Sequence, residues 1–102
     1  MTTATRRTRF LLAYDVSDPK RLHRVHKVAL TFGEPLQYSV FICDLMPDEL
    51  VRLRMALREH IHHAEDRVVL VNLGPAAGRA ARAIEVLGRQ HVLPPGGDPV
   101  IV

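Results

Sequence analysis

Cys43 is the only cysteine in the chain, so no internal disulfide is possible, and a reducing compartment is the natural setting. Tryptophan is absent, and two tyrosines with three phenylalanines are too few to line an extended single-strand platform. Long apolar runs are also missing. Nothing approaches the ~20 residues of a membrane span. The stretch behind Arg6, Arg7 and Arg9, from Phe10 to Tyr14, stops at Asp15 and is too short for a signal peptide. The glycines at 74, 78, 88, 96 and 97 match no phosphate-loop pattern, and Ser39 has no evident His–Asp partner set. We therefore expect a soluble cytoplasmic protein without a membrane segment, a nucleotide loop or a hydrolase triad.

What is present is ordinary globular material, 47% apolar and 25% charged, with a mild basic excess of +3. Twelve of the fourteen basic residues are arginine, whose planar fork suits phosphate and does not lose its charge. At 102 residues we expect one domain with a modest core, to which a two-fold dimer interface would add. Its expected parts are a flexible basic N-terminus over residues 1–8, a core over 9–74 and a C-terminal segment over 75–102.

Arg9 to Val16 reads as a strand that is apolar on both faces, hence central in its sheet. Ser17-Asp18-Pro19 is a helix start with an Asp cap and Pro at the first helical position. Leu22, Val25, Ala29 and Phe32 then form one helical face, and Gly33 supplies the stop. Leu36 to Leu45 is β material, as one bent strand or two short ones. Pro47 opens a second helix with Asp48 and Glu49 in its first turn and a buried stripe of Leu50, Leu53, Leu57 and Ile61. Glu65-Asp66 is a turn before a strand from Arg67 to Leu73. Ala76 to Ala83 has helix-like composition. Ile84 to Leu87 extends that helix or forms a short strand, and Val100 to Val102 is a further strand candidate. The order β-α-β(β)-α-β predicts an α+β, ferredoxin-like sandwich with both helices on one face of an antiparallel sheet.

Asp15 is the main candidate for chemistry. It is a carboxylate at the C-terminal end of a buried strand, where ligands and metals collect in open α/β sheets. A hard cation such as Mg²⁺ needs one or two carboxylates besides water and phosphate, and a two-fold axis passing Asp15 would bring two together. The plainer reading is that Asp15 ends the strand or helps to cap the helix. Asp18 reads as a cap. Lys20, Arg21, Arg24 and Lys27 make a basic stripe that suits a phosphate backbone, or simply a solvated helix face. His23 with His26, and His60 with His62 and His63, do not amount to a zinc site, since no Cys pair supports them. Cys43 reads as a small core residue.

The blocks Ala13-Tyr14-Asp15-Val16-Ser17-Asp18, Lys20-Arg21, Lys27-Val28, Gly33, Gln37-Tyr38-Ser39-Val40-Phe41 and Glu65-Asp66 occur in that order. Together they resemble the small CRISPR-associated adaptation protein family, ferredoxin-like dimers that partner the CRISPR integrase. The resemblance spans about Phe10 to Leu73. It implies a homodimer in CRISPR spacer acquisition that binds duplex DNA and bridges integrase dimers. It also implies, for some members, Mg²⁺-dependent endonuclease activity on RNA or double-stranded DNA. Asp15 would hold the metal with its dimer mate, Tyr14 and Phe41 would be its catalytic neighbours, and Lys20, Arg21, Arg24 and Lys27 would meet nucleic acid. A C-terminal strand, Ile84 to Leu87 or Val100 to Val102, would be exchanged with the partner. Leu22 and His23 interrupt the family's basic run, and Glu34-Pro35-Leu36 replaces its basic residue after the glycine. A toxin-like metal-dependent ribonuclease of the same fold is the rival reading. A small-molecule-sensing regulator fits less well, for want of a glycine-rich ligand loop.

Overall fold

The computed structural model describes residues 6–89. The elements run β1 (Thr8–Asp15), α1 (Pro19–Phe32), β2 (Glu34–Gln37), β3 (Val40–Leu45), α2 (Pro47–His60) and β4 (Arg67–Pro75), followed by a single 3₁₀ turn at Arg79–Arg82. The sheet order is β2-β3-β1-β4, antiparallel throughout. This is the expected ferredoxin-like arrangement, with β1 central because both its faces are apolar.

Alternation along β1 sends Phe10, Leu12 and Tyr14 toward the helices, where they are buried with Phe41, Cys43 and Leu45 of β3. Val25 and Ala29 of α1 and Leu53 and Leu57 of α2 close that layer. Asp18 caps α1 as expected: its Oδ2 accepts from the Arg21 N–H at 2.9 Å.

Gly33 ends α1 as expected, in an extended conformation (φ −159°), so left-handed geometry is not its role. A Cβ there would lie 2.5 Å from both the Cys43 Sγ and the Ile42 carbonyl oxygen. Glycine is required because the chain passes so close to β3. Two expectations need correction. Ala76 to Ala83 is a turn followed by four 3₁₀ residues rather than a helix. Ile84 to Leu87 belongs neither to a helix nor to the sheet of this chain, since a strand forms only against a partner strand. The Val100 to Val102 candidate lies outside the described residues.

Candidate nucleic-acid interface

Strand alternation separates Asp15 from its expected neighbours. Asp15 is exposed, and its register partner across the β1–β4 ladder is Arg67. Tyr14, one residue earlier, points to the helix side and is buried. Its hydroxyl lies 2.8 Å from His26 Nδ1 and 3.4 Å from the Tyr38 carbonyl oxygen. Burial, and then the proximity of Tyr38, push its phenol up to about 12, so it stays protonated at neutral pH. Phe41 is fully buried, with its ring 6.2 Å from that of Tyr14. Tyr14 and Phe41 thus support the strand end from below, and the carboxylate stands on the other face.

The basic residues of α1 also divide. Arg21 turns inward. Its Nε donates to Asp66 Oδ2 at 2.8 Å, and its Nη2 donates to Asp66 Oδ1 at 3.1 Å and to Glu65 Oε1 at 3.2 Å. Its positive charge is therefore already opposed by two carboxylates. Lys20, Arg24 and Lys27 are exposed, and their spacings of four and three keep them on one side of the helix.

Two residues named in the sequence reading have roles that it did not reveal. Asp66 is one: besides the Arg21 fork, its carboxylate accepts the backbone N–H of Ser17 at 3.2 Å and of His62 at 2.8 Å. The sequence signal was an acid in a short turn, where such side chains often accept local N–H groups. His26 is the other. Its ring stacks on Tyr38 with centroids 5.1 Å apart and meets Phe41 edge-on at 5.5 Å. Its position directly after the buried Val25 was the available clue.

Among the described residues no three His, Cys, Asp or Glu side chains converge on a metal position. One chain supplies the single carboxylate of Asp15, which is half of what a shared ion would use. Cys43 is buried, and its thiol is pushed up to about 12 by that burial, as fits an inert core residue. No helix among the described residues is long and apolar enough to cross a membrane.

Comparison with known proteins agrees with this architecture. The family model described as CRISPR associated protein Cas2 matches residues 8–78. A protein of Geobacter sulfurreducens named CRISPR-associated endoribonuclease Cas2 is 37% identical over 67 residues, 66% of this chain and 70% of that protein. One of Rhodospirillum rubrum, CRISPR-associated endoribonuclease Cas2 1, is 35% identical over 80 residues, 78% of either chain. The crystal structure of Streptococcus pyogenes Cas2 at pH 6.5 superposes with a TM-score of 0.69 at 33% identity, covering 78% of this chain and 99% of that one. A hypothetical protein from Thermus thermophilus superposes at 0.71 with 29% identity, covering 84% and 96%. The match spans β1 to the turn after β4 and includes every element that positions Asp15, and the chain belongs to the CRISPR-associated Cas2 family.

Proposed function

We propose that this chain is a cytoplasmic homodimeric adaptor of CRISPR spacer acquisition, binding duplex DNA along α1 and bridging integrase dimers. The observation that carries the reading is the split of the α1 cations. Arg21 is tied down by Glu65 and Asp66, whereas Lys20, Arg24 and Lys27 stand on one exposed side, outside the ion pairs formed among the described residues. A helix face that keeps its charges while a neighbour is neutralised suits a phosphate backbone.

The Asp15 centre is secondary to that role. Mg²⁺ keeps several waters, so one carboxylate from each of two protomers, with substrate phosphate, fits its needs. When bound, the ion would polarise a phosphodiester or activate a water. This chain's part is to place Asp15 exposed at the rigid end of a central strand, with Tyr14 and Phe41 packed beneath. The rival reading, a metal-dependent ribonuclease, is favoured by the name endoribonuclease borne by the relatives.

Asp15→Asn separates the two. We expect purified wild type to cleave RNA and duplex DNA feebly in Mg²⁺, and Asp15→Asn to retain integrase docking and spacer capture. Robust Mg²⁺-dependent cleavage by wild type, lost in the folded variant, would replace the adaptor with the nuclease.

A further inference from the structure

Tyr38 is an anomaly among the aromatics. Phe10, Tyr14 and Phe41 are buried in the core, whereas Tyr38, at the turn between β2 and β3, is 66% exposed. An exposed ring at a hairpin turn is ordinarily mobile, but this one has a fixed support. The His26 imidazole stacks on it at an interplanar angle of 20°. His26 is itself held by the Tyr14 hydroxyl and by the edge contact with Phe41. With one face of the ring covered by His26, the exposure belongs to its edges and its other face. Such a ring is ordered before any ligand arrives, which lowers the entropic cost of stacking on it.

Tyr38 also borders a hollow. Segments 36–38 and 84–87, together with Arg89, line a partly open cleft of about 620 Å³, within the range of sites that hold a nucleotide-sized ligand. The lining mixes apolar side chains with three polar groups. The Gln37 amide offers both a donor and an acceptor to a base edge, and Glu85 offers an acceptor for exocyclic amines. Arg89 offers a fork for phosphate. The Tyr14 N–H donates to the Ser39 carbonyl at 3.1 Å, so the turn carrying Tyr38 is tied to the strand end carrying Asp15.

We propose that the outward face of Tyr38 is a stacking site for one unpaired nucleobase, which enters the cleft beside it. The proposal rests on the nucleic-acid reading above and names a subsite within it. A single aromatic platform takes one base extruded from a duplex, and it needs no extended row of aromatics.

The test uses two DNA duplexes, one carrying a single bulged 2-aminopurine and the other the same base fully paired. Wild type is expected to quench the bulged 2-aminopurine and to bind that duplex more tightly than the paired one. Tyr38→Leu should abolish the quenching and weaken binding of the bulged duplex by about ten-fold, the scale of one base–aromatic stack. It should leave the affinity for the paired duplex unchanged. Tyr38→Phe should restore both readouts, because the ring and not the hydroxyl makes the stack. His26→Ala should weaken the bulge preference by removing the ring's support. Equal affinity of wild type and Tyr38→Leu for the bulged duplex would overturn the platform alone. Failure of wild type to bind either duplex would overturn the nucleic-acid reading, and the platform with it.

Discussion

Asp66 joins two loops that meet only in the folded chain. Ser17 precedes α1 and His62 follows α2, and one buried carboxylate accepts an N–H from each while taking both ends of the Arg21 fork. The Arg21 hydrogen bond, more than any other contact, holds the Asp66 carboxyl well below the usual carboxylate range. Because the folded value is depressed, the stabilisation is present above the unfolded value of 3.8 and is lost as pH falls below it. Asp66→Asn keeps the shape but removes the charge. Its thermal midpoint should fall at pH 7, and the gap from wild type should narrow as pH drops through about 4. Parallel profiles between pH 7 and pH 3 would show that the charge is not what holds the two loops. Sequence reasoning reaches a turn here and no further, because Arg21 lies 45 residues away. Asp18 is legible for the opposite reason, since its acceptor role is served within its own helix turn.

At the scale of the element, α1 shows what periodicity can and cannot reveal. The buried face of Val25 and Ala29, flanked by Leu22 and Phe32, follows from spacing alone. The unequal fates of Arg21 and Arg24 do not, because both are basic and three residues apart, and only packing against the turn before β4 tells them apart. Gly33 is legible as a boundary, but its cause, the approach of the chain to Ile42 and Cys43, is a tertiary fact. The outward cations give the element its prediction. Replacing Lys20, Arg24 and Lys27 together with alanine should weaken duplex DNA binding regardless of sequence. The slope of log affinity against log salt should become shallower by up to about 3, near 0.9 for each phosphate no longer neutralised. Arg21→Ala should act chiefly on the thermal midpoint, since its guanidinium is engaged within the fold. Titrations at several salt concentrations decide it, and an unchanged slope in the folded triple variant would leave α1 as a merely solvated helix.

For the whole molecule the telling surface is the sheet face turned away from the helices. Cross-strand register lays down two apolar rows on it, Val71–Leu11–Ile42 and Val69–Ala13–Val40. Arg9 with Asp44 lies at one end of the patch, and Asp15 opposite Arg67 at the other. Val69 and Val71 are 42% and 43% exposed, although both belong to a strand that could carry polar residues outward. The sequence already showed β1 to be apolar on both faces. Within one chain only the helix side of that pattern is fully accounted for by the core. Ile42 is already buried within the single chain, and a second copy packed on the open face would cover the remainder, Val69 and Val71 above all. A two-fold axis parallel to β1 would also keep both Asp15 carboxylates at the same end, as a shared cation requires. Like charges brought together there would repel in the absence of the cation. The dimer should therefore tighten in Mg²⁺, and Asp15→Asn should tighten it without Mg²⁺. Light scattering at micromolar concentration should give twice the 11.5 kDa of a single chain. Val69→Lys with Val71→Lys should shift the population toward monomer while leaving the helical signal intact, because neither side chain belongs to the helix-facing core. If the folded double variant remains a dimer, the interface lies elsewhere and Asp15 has no mate across it. The metal reading would then lose its second carboxylate, whereas DNA binding by α1, which draws on one chain only, would stand.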